Sequence, residues 1–186
     1  GARIAGHLGL NNFIMFYDSN DVQLSTMTDE VTSEDTAMKY EAWGWNVISI
    51  DGHNHDEIRS ALKQANAEEN RPTLIIAKTI MGKGAVDANG NSFEGHCELH
   101  GQPIGHTGAD YKETLKNLGA DVDNPFDIYP DVADFYNKLI EKKKAEAAAK
   151  KAEINAWRKS NADLAEKLDN FLSGKLPELD FGSIEH

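Results

Sequence analysis

Apolar residues in the N-terminal half of the chain gather into three short runs, Phe13 to Tyr17, Asn46 to Ile50 and Thr73 to Lys78, each bounded by polar turn formers. Runs of this length and composition predict strands, the first of them buried, and the segments between them carry the helical period instead. One helix is expected from about Ser33 to Trp43, with Thr32 or Ser33 as its cap, Met38, Ala42 and Trp43 on one side, and Gly44 ending it in the left-handed region. A second is expected from His55 to about Glu69, with Ile58, Ala61, Leu62 and Ala65 at helical spacing after an Asn54-x-x-Glu57 capping pair. The order βαβαβ predicts an α/β fold, a partial parallel sheet flanked by helices. Its strand ends then share one edge, which carries Asp18 to Val22, Asp51 to Asn54 and Met81 to Gly84.

Periodicity fades from Ala85 to about Tyr129, where Gly, Asn and His are frequent and a single short helix near Ala109 to Leu118 is expected. Loop-rich surface of this kind collects functional residues. From Asp131 the helical pattern returns with Val132, Phe135, Tyr136, Leu139 and Ile140, followed by an Ala, Glu and Lys stretch at Lys142 to Lys151, and a further helical pattern carries Ile154, Trp157, Leu164, Leu168 and Phe171. Gly174 and Pro177 stop it. Two regions are therefore expected: 1–130, a partial α/β domain, and 131–186, a long helical tail suited to an interdomain connector.

With 186 residues, 40% of them hydrophobic, the chain can bury a core. Its 19 basic and 31 acidic residues give a net charge of -12, which disfavours nucleic acid and anionic membrane as partners. The same field repels phosphorylated ligands, so any phosphate handling needs a local device. The basic residues of Lys142 to Lys151 are interleaved with Ala and Glu and read as a solvated helix. A single cysteine, Cys97, excludes an internal disulfide and suits a reducing cytoplasm. Neither a membrane-spanning apolar stretch nor a leader with an apolar core is visible, so a soluble, intracellular protein is expected.

Candidate chemistry sits on the shared strand edge and in the loops beyond it. Asn20 offers an amide oxygen and its neighbours offer backbone carbonyls, the hard donors that Mg²⁺ or Ca²⁺ prefers, although Asp18, Asn20 and Asp21 also read as ordinary turn formers. In Met81-Gly82-Lys83-Gly84 two glycines allow the backbone to approach a ligand, or simply make a turn; the segment lacks the glycine spacing and the Ser or Thr of a P-loop. His96 and His100 are four apart, yet Gly95, Gly101 and Pro103 oppose the helix that would bring them together on zinc. A loop histidine such as His100 is better placed to reach a ligand oxygen, with a packing role as the competing reading. His53 and His55 read as parts of a helix-capping turn, and Trp43 and Trp45 as packing residues.

Taken together, these segments closely resemble transketolase, in the part of its diphosphate-binding domain just after the family's Gly-Asp-Gly turn. The matching stretches are Phe13 to Asn20, Glu34 to Val47, Ile50-Asp51-Gly52-His53, Lys78 to Gly84, and His100-Gly101-Gln102-Pro103-Ile104-Gly105. The resemblance implies a thiamine diphosphate-binding fold and transfer of a two-carbon ketol unit from a ketose phosphate to an aldose phosphate, in the pentose phosphate pathway. It implies thiamine diphosphate and Mg²⁺ (or Ca²⁺) as cofactors, sugar phosphates as substrates and a homodimer for the parent enzyme. Asn20 would give its side-chain oxygen and Val22 its carbonyl to the metal; Met81, Gly82 and His100 would face the cofactor, with His100 also acting in catalysis. The stretch Ala85 to Glu98 departs from the common family form, and His96 has no counterpart there.

By the same resemblance, the family's other metal ligand would precede Gly1, and the pyrimidine-binding domain with its activating glutamate would follow His186. The 186 residues are accordingly expected to be part of a longer enzyme and to lack ketol-transfer activity alone. Two alternatives remain open at this point: another thiamine diphosphate enzyme such as deoxyxylulose phosphate synthase, and a non-catalytic α/β binding module.

Overall fold

A computed structural model describes residues 1–174, 176 and 182. Contacts divide the chain into two compact units, Gly1–Pro125 and Phe126–His186.

The first unit opens with a short helix α1 (Ala2–His7) and continues β1 (Ile14–Ser19), α2 (Thr36–Ala42), β2 (Asn46–Asp51), α3 (His55–Ala67) and β3 (Thr73–Lys78). All pairing is parallel and the strand order is β1-β3-β2, so β3 lies in the centre. Rows of side chains run straight across the sheet. Met15, Leu74 and Val47 are in register, as are Phe16, Ile75 and Ile48. Because successive strand side chains point to opposite faces, these two rows face two different cores.

On one face Leu74 and Trp45 pack with Ala5 of α1, and Tyr40 of α2 and Trp43 just after it cover them. On the other, Ile75 meets Ala61 and Ala65 of α3, with Ile14, Ile48 and Ile50 around it. Burying Leu74 and Ile75 completely stabilises the sheet by roughly 1.5–3 kcal/mol each. β1 differs from the buried strand expected from its apolar run. Among the described residues it pairs with β3 alone, and Phe16 is 46% exposed despite sharing a row with Ile75.

The local chemistry that starts each helix also departs from expectation in detail. The cap of α2 is Asp35, whose carboxylate accepts the Met38 N–H at 2.9 Å, instead of Thr32 or Ser33. Of the face proposed for this helix only Trp43 points inward; Met38 is 66% exposed and Ala42 is exposed, because Tyr40 takes their place. Gly44 does end the helix with φ +85°. Asp35→Ala is expected to cost about 1 kcal/mol and to speed amide exchange at Met38 while sparing α3. Unchanged exchange at Met38 would show that the cap contributes nothing.

At α3, Asn54 Oδ1 accepts the N–H groups of Asp56 (3.0 Å) and Glu57 (3.3 Å). Glu57 does not return to the Asn54 N–H, as a capping box would have it. Its carboxylate accepts the Asp51 N–H (2.8 Å) and the Asn54 side-chain amide (2.9 Å), while the Asn54 N–H donates to the Asp51 carbonyl (3.1 Å). The helix is thereby tied to the last residue of β2.

Beyond β3 the chain forms its own small core, in which Leu99, Ala85 and Ala109 pack with Met81, Phe93 and Ile104. The short helix expected here is α4 (Tyr111–Asn117), capped by Asp110, which accepts the Glu113 N–H at 2.9 Å.

The second unit holds α5 (Pro130–Ser160) and α6 (Ala162–Leu172). The apolar stripe, the Lys and Ala stretch and Trp157 all belong to one continuous helix that starts with Pro130 in its first turn. The chain breaks at Asn161, inside what the sequence pattern reads as a single helix, and the Asn161 side-chain amide donates to the Trp157 carbonyl (2.9 Å). Arg158 then grips Asp169 of α6 with two hydrogen bonds of 2.7 Å. That contact lowers the Asp169 pKa and raises that of Arg158. Gly174 follows α6 with φ +69°; Pro177, named with it as the stop, lies outside the described residues. Among the described residues no helix is long and apolar enough to cross a membrane.

Candidate functional site

The segment Lys78-Thr79-Ile80, where the central strand ends, joins the loops that follow all three strands. Towards β1, the Thr79 N–H donates to the Ser19 carbonyl (3.2 Å), the Thr79 hydroxyl hydrogen-bonds the Asp18 carboxylate, and Lys78 pairs with Asp21. Towards β2, the Gly52 N–H donates to the Lys78 carbonyl (2.7 Å) and the His53 Nε2 accepts the Ile80 N–H (3.0 Å).

The turn after β1 is held by its own side chain. Asn20 Oδ1 accepts the Val22 N–H at 3.0 Å, and Asp21 takes φ +64°, a left-handed conformation that Asp and Asn tolerate better than most residues. The Thr28 N–H closes the loop on the Asp21 carbonyl (2.9 Å), and Val22, 5% exposed, bridges to Met27. Turn former and oxygen donor are compatible roles for Asn20, since an amide oxygen has two lone pairs and Val22 uses one. An amide oxygen with a backbone carbonyl two residues on is a donor set of the hard kind that suits Mg²⁺ or Ca²⁺.

Gly82 adopts φ +60°, and a Cβ built on it would lie 2.3 Å from Leu99 Cδ1. The Met81 carbonyl accepts the Gly95 N–H (2.8 Å), and the Glu94 carboxylate accepts the Gly84 N–H (2.6 Å). Met81 and Leu99 share the small core, so the glycine turn and the loop of His100 are packed as one piece. A Cβ on Gly101 would lie 3.6 Å from Leu24 Cδ2, which brings the continuation of the Asn20 turn to the residue next to His100. The structure therefore gathers Asn20, Val22, Met81, Gly82 and His100 around one end of the sheet.

His100 is half-buried, and its Nδ1 is buried with no hydrogen-bond partner among the described residues. An unsatisfied buried nitrogen costs about 1–3 kcal/mol, so such atoms in folded proteins usually take a partner, a water or an ion included. A polar ligand arriving at this loop fits that nitrogen. His96, by contrast, is exposed and stacks flat on Phe93 (4.1 Å between rings, 8° between planes), which gives it a packing role. The divergent loop around it is ordered by Asp87, which accepts the Asn89 N–H (2.8 Å), the Asn91 N–H (2.9 Å) and the Asn91 side-chain amide (2.9 Å). Asn91's side chain and backbone, then Asn89, hold the Asp87 carboxyl below its ordinary range.

His53 is where reading the sequence fell short. Its N–H does make the capping-turn contact, to Asp51 Oδ1 at 2.9 Å, but its ring serves the loop after another strand. Nothing in the local pattern around Gly52-His53-Asn54 announces a partner beyond the next helix.

The family described as transketolase, thiamine diphosphate binding domain, matches residues 1–177. Among curated relatives, transketolase 1 of Pasteurella multocida is 38% identical over 178 residues, covering 94% of this chain and 25% of its own length. Transketolase of Physarum polycephalum is 37% identical over 170 residues, covering 90% and 24% respectively. The chain thus spans about a quarter of the length of the curated relatives it matches. Among solved structures, transketolase of Campylobacter jejuni aligns with a TM-score of 0.75 at 31% identity over 95% of this chain and 27% of that one. Transketolase of Pichia stipitis in complex with sedoheptulose-7-phosphate shares the fold, with a TM-score of 0.81 at 24% identity over 95% and 25%. The motifs at Asn20, at Met81 and at His100 and the match across residues 1–177 agree, and the chain belongs to the transketolase family, in its thiamine diphosphate binding domain.

Proposed function

We propose that this chain serves ketol transfer between sugar phosphates in the pentose phosphate pathway, as part of a homodimeric, cytoplasmic enzyme that uses thiamine diphosphate and Mg²⁺ or Ca²⁺. The observation that carries the reading is the buried, unpartnered Nδ1 of His100 at the same end of the sheet as the Asn20 turn. In this reading residues 1–130 form part of the diphosphate-binding domain and 131–186 the connector towards the pyrimidine-binding domain.

Asn20 Oδ1 and the Val22 carbonyl would hold the cation. Their lack of formal charge matters in a protein of net charge -12, because the metal then keeps its full positive charge for the diphosphate. Lys78 pairs with the Asp21 carboxylate beside the turn and offsets its charge. Thiamine diphosphate, when bound, supplies a thiazolium that accepts the electron pair released on carbon–carbon cleavage. Met81 presents an apolar surface beside it and excludes water, and Gly82 keeps the backbone free of a side chain there. His100 holds or moves a proton at a substrate oxygen, stabilising the charge that develops on it.

Titration calorimetry on the natural gene product that carries residues 1–186 tests this. Asn20→Ala is expected to weaken Mg²⁺-dependent binding of thiamine diphosphate about tenfold or more, since loss of even a supporting contact at a metal site has that effect. Equal affinity in the variant and the parent would remove Asn20 from the metal site.

A further inference from the structure

We propose that His53 is a positioning residue for the turn that carries Met81 and Gly82, acting as a neutral imidazole with its proton on Nδ1 and its Nε2 lone pair on the Ile80 N–H. The clamp itself stands on geometry alone; only its consequence for cofactor binding rests on the reading of Met81 and Gly82 given above.

Ile80 lies just past the parallel ladder. Lys78 is the last residue of β3 paired with both neighbours, and the Thr79 N–H is used by the Ser19 carbonyl. The Ile80 N–H is thus the first backbone donor the sheet cannot satisfy, and such groups find other partners. His53 Nε2 accepts it at 3.0 Å. A backbone N–H only donates, so the facing ring nitrogen must carry a lone pair, which places the single proton of a neutral ring on Nδ1.

The ring is carried on a stiff platform. The His53 N–H is fixed by Asp51 Oδ1 (2.9 Å), the Gly52 N–H by the Lys78 carbonyl (2.7 Å) and the Asp51 N–H by Glu57 of α3 (2.8 Å). Gly52 presses so closely on the central strand's end that a Cβ there would lie 2.5 Å from Thr79 Cγ2 and 2.9 Å from the Lys78 carbonyl. Ile80 immediately precedes Met81, whose carbonyl is held by the Gly95 N–H (2.8 Å). Met81 therefore sits between two anchors, and His53 is the one contributed by a side chain. Supporting contacts of this kind fix the position of residues that face a ligand.

Long-range ¹H–¹⁵N correlation spectra of the uniformly labelled 186-residue chain at neutral pH read the tautomer directly. A proton on Nδ1 of His53 is expected, opposite to the form that free histidine favours in water; a proton on Nε2, or on both nitrogens, overturns the proposal. Amide exchange supplies an independent reading. His53→Phe is expected to accelerate exchange at Ile80 about fivefold, the usual worth of one such hydrogen bond. His53→Gln, whose side-chain oxygen reaches the position of Nε2, is expected to restore most of the protection, and Leu74 in the core is expected to stay unchanged in both. Unchanged exchange at Ile80 in His53→Phe, or acceleration at Leu74 as large as at Ile80 without rescue by Gln, refutes the clamp. These measurements need no cofactor, so a failed calorimetric test of Asn20 would leave them standing and a failed clamp would leave the metal site standing.

Discussion

Replacing Trp45 by alanine is expected to destabilise the α/β unit by about 3–5 kcal/mol, a large share of the stability of an ordinary domain. Trp45 is 1% exposed and forms a buried cluster with Ala5 and Leu74. Its indole N–H donates to the Ala2 carbonyl at 2.8 Å, which fastens α1 to the start of β2. Its ring meets Phe13 (5.3 Å) and Tyr40 (5.2 Å) edge-on. Truncation would open a cavity bordered by backbone, which collapses poorly, and would leave α1 with only Ala5 as a buried anchor. Trp45→Phe fills part of the space but abandons the Ala2 carbonyl, so an intermediate loss of about 1–3 kcal/mol is expected. Denaturation followed by circular dichroism measures both. A loss below about 1 kcal/mol in the alanine variant would mean that the pocket closes freely, contrary to the packing described.

Gly82→Ala is the second large effect, expected at about 2–5 kcal/mol from two sources. A non-glycine residue at φ +60° costs about 1–2 kcal/mol, and a methyl 2.3 Å from Leu99 Cδ1 forces a repacking costing about 1–3 kcal/mol. Leu99 cannot simply swing aside, because it lies among Ala85, Ala109, Met81 and Phe93. Gly90 provides the control, since it has φ +82° but nothing within 4 Å of its Cβ position. Gly90→Ala should therefore show only the backbone cost. Equal shifts in melting temperature for the two variants would show that Leu99 yields without loss. Gly82 is required first by the protein's own packing, whatever ligand it also admits.

β3 reads correctly from the sequence because it is buried on both faces, so apolar pattern and strand coincide from Thr73 to Lys78. β1 extends to Ser19 past its apolar run because an edge strand tolerates Asp18 and Ser19. α1 went unnoticed since six residues without a side-chain cap carry little period, and its stability comes from Trp45, far away in sequence. The same holds at the site. Asn20 and His100 stand out by chemistry and position, and the structure adds the Asx turn of one and the orphaned nitrogen of the other. The roles of Lys78 and His53 depend on contacts across the sheet edge, which no local pattern encodes. In the second unit, Ile154, Trp157, Leu164 and Leu168 keep helical spacing across Asn161, so the apolar pattern does not mark the break there.

The central strand is also the last of the three to be synthesised. β1 and β2 pair with β3 and not with each other, so neither ladder can begin until Thr73 to Lys78 has left the ribosome. Until then neither apolar segment can form its ladder with β3, and such delayed pairing leaves strands open to mispairing between chains. When β3 arrives it closes both ladders together, and the loops at Asn20, His53 and Met81 gain their mutual anchors in the same event. Sheet and site are thus born in one late, long-range step, of the kind that makes folding slow.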